Sequence, residues 1–185
     1  MTDRVRLPDP EAALARLPRG SAVFVRHGDA AERERLARRL AVDCRRLGLR
    51  LIIAGDARLA ATVRADGLHL PEKMLRHGGR GWRLLRRPGW LVTAAAHSPA
   101  ALCAASRAGV DAVLLSPVFP TASHPGAAAL GSLRFAALVR QCPIPVYALG
   151  GVTAATAARL AGSGAAGFAA ISGLVPLQSG SGPRL

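Results

Sequence analysis

Long apolar runs are missing from this chain. Half of its 185 residues are hydrophobic, yet no stretch approaches the roughly 20 apolar residues that a membrane-spanning helix needs. Aromatic side chains make up only 4%, so Ala, Leu and Val must fill the core. The three cysteines, Cys44, Cys103 and Cys142, lie far apart with no C-x-x-C pair. That excludes a disulfide framework or a thiolate zinc site and leaves free thiols of a reducing compartment. The N-terminus is charged from Asp3 onward and lacks the apolar core of a signal peptide. The expected location is therefore cytoplasmic, with no membrane partner.

Lysine is almost absent too. Lys73 stands alone, and arginine carries nearly all of a formal charge of +14. The arginines crowd residues 33–39, 45–50 and 76–87. Nucleic-acid binding is one reading of such clusters, but no nucleic-acid-binding motif accompanies them. A solvated helix face explains them better. The net positive field still favours phosphorylated small molecules.

What the sequence does have is a regular alternation of strand-like and helix-like runs. Strands are expected at 22–26, 51–53, 67–70, 90–93, 112–115, 145–149 and 167–171, all short and apolar. Helices are expected at 10–17, 30–47, 57–64, 100–108, 132–142 and 153–161. In residues 30–47, Leu36, Leu40 and Leu47 share one helical face with arginines opposite. Asp56 and Ser98 stand where N-caps belong, and Pro99 follows at the first helical position. Residues 71–89 read as loop with one helical turn. Seven such alternations argue for a parallel sheet covered on both faces.

Two strand ends attract attention. Tyr147-Ala148-Leu149 runs into Gly150-Gly151 with a helix-like run immediately after, and residues 167–171 end in Ser172-Gly173. A strand opening into bare N–H groups at a helix start can cradle phosphate. In (β/α) barrels the loops after strands seven and eight often do so. The bland alternative is that these glycines only make tight turns. The longest strand-end loop, 116–126, is stiffened by Pro117 and Pro120 and gathers Thr121, Ser123 and His124 at its tip. Hydroxyls can donate to phosphate oxygens, and an imidazole can move a proton.

Ser-Pro-Val-Phe-Pro-Thr-x-Ser at 116–123, Ala-Leu-Gly-Gly-Val-Thr at 148–153 and Ile-Ser-Gly at 171–173 together resemble the thiamine phosphate synthase superfamily, including its thiazole tautomerase-like branch. The likeness extends over most of residues 21–175. It implies a (β/α)8 TIM barrel that joins a hydroxymethylpyrimidine diphosphate to a thiazole phosphate with Mg2+, releasing pyrophosphate. It also implies that Thr121, Ser123, Gly150, Gly151, Ile171 and Ser172 hold the thiazole phosphate. Arg26, the surviving member of the family's Gln-x-Arg-x-Lys grip on the diphosphate, and His124, which replaces the lysine after Pro-Thr-x-Thr, are the catalytic candidates.

The other half of the family pattern is altered. The Asn-Asp metal pair falls on Ala54-Gly55 with Asp56 one place late, the second metal aspartate falls on Met74, and a serine after the fifth strand falls near Ala95. Mg2+ wants hard oxygen ligands, so the implied ion loses its usual holders and no metal ligand is assigned. Met1-Thr2-Asp3 resembles only the end of the family's first strand. The expectation is thus a barrel lacking most of that strand and the last helix, in a single domain over 1–175 with a flexible tail at 176–185.

Three functional classes follow. One is a thiamine phosphate synthase-like transferase. Another is a thiazole tautomerase-like isomerase needing only a phosphate anchor and a proton shuttle, with His124, His27 or His69 as its base. The last is a non-catalytic binder of a phosphorylated thiazole or pyrimidine. For His69 the plain reading is a histidine packed at a strand end.

Overall fold

A computed structural model of the chain describes residues 1–3, 7–26, 29–76, 81–121, 126 and 128–171. Seven strands form one sheet: β1 (Ala22–Val25), β2 (Arg50–Ala54), β3 (Gly67–Leu70), β4 (Leu91–Ala96), β5 (Ala112–Leu115), β6 (Val146–Ala148) and β7 (Gly167–Phe168). Each pairs in parallel with the next in chain order. α1 (Pro10–Leu14) precedes them, and helices cross between them: α2 (Ala30–Leu47), α3 (Ala57–Thr62), α4 (Glu72–Arg76), α5 (Trp82–Leu85), α6 (Pro99–Arg107), α7 (Gly131–Gln141) and α8 (Ala154–Ala157). A sheet with this order and right-handed crossovers curls toward a barrel. None of the helices among the described residues is long and apolar enough to cross a membrane.

Side chains alternate across the strands and build two cores. Val23, Val25, Leu51, Ile53, Val113 and Leu115 pack outward beneath the helices, against Leu36, Leu40, Leu102 and Phe135. Phe24, Ile52 and Leu114 point inward with Met1 and Ile171. Small Ala side chains let helices sit close to the sheet, which is how a chain poor in aromatics reaches full burial at Ala37, Ala60 and Ala105.

Among the described residues no strand precedes Ala22, and β1 and β7 are the two edges of the seven-stranded sheet. Met1 and Thr2 lie across the opening between β1 and the chain after β7. The Met1 amine donates to the Ala170 carbonyl (3.0 Å), Thr2 N–H donates to the Phe24 carbonyl (2.8 Å), and Arg26 N–H donates to Thr2 Oγ1 (3.0 Å). Below this two-residue bridge, a largely apolar cavity of about 670 Å³ opens between α1 and the starting ends of the strands.

Capping sets the element bounds. Asp29, Asp56 and Ser98 each accept an N–H three residues on, at 2.7, 2.9 and 3.1 Å, opening α2, α3 and α6. Gly48 closes α2 in the left-handed conformation at φ +68°. Asp66 and Asp111 accept the N–H groups of Leu51 (2.7 Å) and Val92 (2.6 Å) in the neighbouring strands. Residues 71–89 hold two short helices, α4 and α5, where one turn was expected. The run 153–161 is α8 followed by a 3-10 turn, Ala158–Leu160, rather than one continuous helix. On α2 the arginines form a solvated face, with Arg38, Arg39 and Arg46 paired to Glu34 (2.6 Å), Glu11 (2.9 Å) and Asp43 (3.0 Å). Cys44 is buried, and burial pushes its thiol up to about 11, which leaves it chemically quiet.

Candidate functional site

The finishing ends of the strands enclose a second cavity of about 380 Å³. Every strand contributes to its wall: Arg26 after β1, Ala54 on β2, His69 on β3 with Glu72 beyond it, Ala95 on β4 with His97 beyond it, Ser116 and Pro117 after β5, Leu149 to Thr153 after β6, and Ala169 to Ile171 after β7. This is the rim where a parallel barrel places its chemistry.

One side of the cavity is backbone. Gly150 (φ +89°) and Gly151 (φ +65°) turn the chain after β6 in a conformation that other residues resist. The 117–121 loop is laced to this turn: Val118 N–H donates to the Leu149 carbonyl and Phe119 N–H to the Gly150 carbonyl, both at 3.0 Å. Val118 and Phe119 are buried, and the Arg159 guanidinium stacks over the Phe119 ring at 4.9 Å. Thr121 is thereby brought to the wall beside the glycines. Thr153 caps α8 and exchanges hydrogen bonds with Thr156, whose hydroxyl also donates to the Gly151 carbonyl (2.9 Å). Among the described residues, no protein acceptor takes the N–H of Gly150, Gly151 or Val152. Three amides are therefore available at the rim, and they come from the turn itself, since α8 is too short to add a dipole.

The ends of β1, β3 and β4 carry side chains to the cavity. His69 is buried; its Nδ1 lies 2.9 Å from Thr93 Oγ1, and its ring meets Phe24 edge-on at 5.3 Å. Burial, and then the nearby Arg26 and His97, push its pKa down to about 3. The ring is neutral at working pH and a weak base, packed at the strand end where it also lines the cavity. Arg26 stands exposed at the mouth. Glu72 and His97, 25 residues apart, are brought together because β3 and β4 are neighbours. Glu72 Oε2 accepts the His97 backbone N–H (2.9 Å) and lies 2.6 Å from His97 Nδ1. The Glu72 side chain is only 10% exposed, and that of His97 42%.

The cavity thus brings Arg26, Thr121, Gly150, Gly151 and Ile171 together. Ser123, His124, Ser172 and His27 lie outside the described residues. His97 was missed in the sequence. The strand was expected at 90–93; it in fact runs to Ala96 and delivers His97 to the rim.

The donors do not suit Mg2+. Ala54 and Ala95 present methyl groups where carboxylate or hydroxyl oxygens would be needed. Asp56 turns away from the cavity, one oxygen capping α3 (2.9 Å) and the other paired with Arg33 (3.2 Å). Glu72 is engaged by His97. Among the described residues, no three His, Cys, Asp or Glu side chains gather as a metal site.

Comparison with known proteins gives a consistent picture. The family model described as thiamine monophosphate synthase matches residues 8–174. A thiamine-phosphate synthase of Thiobacillus denitrificans is 37% identical over 94% of this chain and 81% of its own length. One from Chlorobium luteolum is 34% identical over 92% of this chain and 82% of its own. Among solved structures, a thiamine phosphate pyrophosphorylase from Pyrococcus furiosus superposes with a TM-score of 0.76 at 23% identity, covering 92% of this chain and 83% of that one. That likeness extends to the fold.

Proposed function

The chain belongs to the thiamine monophosphate synthase family of thiamine biosynthesis, and on that premise we propose that it joins a thiazole phosphate to a hydroxymethylpyrimidine diphosphate in the cavity at the finishing ends of its strands. The observation that carries this reading is the turn after β6. Its three unspent amides line the same cavity as Thr121 and Arg26. An anion on the amides and a second anion toward the guanidinium would set two phosphorylated ligands end to end.

In this arrangement Gly150, Gly151 and Val152 donate N–H groups to the thiazole phosphate, and Thr121 and Ile171 close around it. Ser123 and Ser172 belong to the same anchor by the family pattern. Arg26 grips the diphosphate of the pyrimidine, with His124 as a further candidate at the loop tip. The apolar side chains of Met1, Leu149, Val152 and Ile171 on the cavity wall keep the ring systems out of water. The thiazole nitrogen then attacks the pyrimidine methylene carbon. The C–N bond forms as the C–O bond to diphosphate breaks, with that electron pair leaving on pyrophosphate. Much of the acceleration comes from holding the two reactants in line.

The test is direct. The protein is incubated with both substrates, and thiamine phosphate and pyrophosphate are measured together; calorimetry with thiazole phosphate alone reports the anchor. Equal amounts of both products support the assignment. Binding with no product under any condition leaves a phosphate-ligand binder in its place, and proton exchange on the thiazole without coupling an isomerase.

A further inference from the structure

We propose that the Ser116 hydroxyl donates a hydrogen bond to the pyrimidine ring and sets the cavity's preference for that ring over a plain aromatic one. The inference rests on the coupling reaction proposed above and names a specificity residue for it.

Ser116 is only 5% exposed, and it lines the cavity at the finishing ends of the strands. Strand alternation sets its direction. Along β5, Val113 and Leu115 pack outward beneath the helices and Leu114 packs inward, so Ser116 turns to the inner side. The hydrogen-bond ladder continues past β5 and holds it there. Ser116 N–H donates to the Ala96 carbonyl and Leu149 N–H to the Leu115 carbonyl, both at 3.0 Å. The hydroxyl is thus carried by backbone tied to β4 on one side and to the chain after β6 on the other. Its proton turns to suit whatever acceptor the cavity offers.

Among the described residues, no protein group bonds this hydroxyl. Buried hydroxyls in native proteins are paired, because an unpaired one costs free energy. The neighbouring inward side chains do not serve it. Ala54, Ala95, Leu149 and Ile171 are apolar, and His69 Nδ1 is engaged with Thr93. A ligand that displaces solvent here must bring a polar atom of its own or lose affinity.

The chemistry of the two reactants decides which one brings it. The thiazole nitrogen spends its lone pair on the attack, so a donor held on it would oppose the reaction. The pyrimidine carries two ring nitrogens whose in-plane lone pairs take no part in the bonds made or broken. A hydroxyl donating to one of them fixes the ring's rotation and with it the direction of the methylene carbon. An aromatic ring without those nitrogens leaves the hydroxyl unpaired and binds less well.

Calorimetry compares hydroxymethylpyrimidine diphosphate with benzyl diphosphate, whose ring has carbon at both nitrogen positions. Wild type and Ser116→Ala are measured, with thermal melts to confirm folding. Wild type is expected to prefer the pyrimidine by roughly tenfold. Ser116→Ala should lose most of that gap, with affinities for benzyl diphosphate and thiazole phosphate as in wild type. Should Ser116→Ala not fold, Ser116→Cys, a weak donor, makes the same comparison. A wild type that binds both diphosphates alike, a variant that keeps the gap, or a loss confined to thiazole phosphate overturns the inference. Coupling by wild type in any of those cases leaves the synthase reading standing. A gap that closes in the variant of a protein that does not couple supports the ring contact and removes the synthase reading. Binding of neither diphosphate overturns both.

Discussion

Gly151 faces the carbonyl oxygen of Pro120 across a gap with no room for a side chain: a Cβ at Gly151 would stand 2.5 Å from that oxygen and 2.7 Å from Phe119 Cβ. The family resemblance placed this glycine among the phosphate holders. The geometry gives it a further duty, allowing the 117–121 loop to lie against the turn so that the amides and Thr121 line one cavity. Gly151→Ala forces φ +65° on a residue that resists it and pushes the loop off. The expected result is a coupled loss: about 1–3 kcal/mol of folding stability and most of the affinity for thiazole phosphate, read by denaturant titration and calorimetry. Full affinity in a destabilised variant would detach the loop from the anchor.

How much of this was readable beforehand depends on what each residue's role requires. The strand and helix alternation was legible because it is written in burial: α2, β3 and β5 lie where the apolar periodicity puts them. The glycine turn and the start of the loop laced to it were legible because Gly150-Gly151 and the run from Ser116 are local motifs. The Glu72–His97 pair was not, since it joins two strand ends 25 residues apart and depends on a β4 longer than its alanines advertise. Residues 71–89 misled for a related reason. Glycine and proline have weak claims to a helix, and α5 is fixed by burying Trp82 and by the Arg86 ion pair to Asp111 (2.9 Å) rather than by propensity.

Arg26 follows β1 and the glycine turn follows β6, so their losses should separate. Arg26→Ala removes a charged donor worth about 1.5–3 kcal/mol to a paired anion. The KM for the pyrimidine diphosphate should rise at least tenfold or so, with the Kd for thiazole phosphate nearly unchanged. Parallel losses for both ligands would show that the two half-sites are assigned wrongly.

Asp56 offers a clean check on the metal question. It sits one place beyond the family's metal position, yet its oxygens serve Leu59 N–H and Arg33. Asp56→Ala should therefore cost about 1 kcal/mol of stability through the lost N-cap and leave any response of coupling to Mg2+ as in wild type. A variant that folds as well as wild type but loses a Mg2+ response would make Asp56 a ligand after all.

The buried imidazole of His69 predicts how stability depends on pH. Folding lowers its pKa from 6.5 to about 3, first by burial and then through Arg26 and His97. In unfolded chains the ring takes up a proton as pH falls through 6.5, while the folded ring stays neutral until near 3. Between those values the unfolded state binds more protons, so stability is lost as pH falls, at about 1.4 kcal/mol per pH unit well inside the window. Wild type at about pH 5 should therefore be roughly 2 kcal/mol less stable than at about pH 7 from this group alone. His69→Gln keeps a polar partner for Thr93, whose hydroxyl lies 2.9 Å from the ring, but cannot titrate. Urea unfolding of both proteins at the two pH values isolates the contribution, because carboxylates and the other histidines are common to both. A variant that loses stability between the two values as steeply as wild type would mean that His69 is protonated within the fold, and the neutral wall ascribed to this side of the cavity would have to be abandoned.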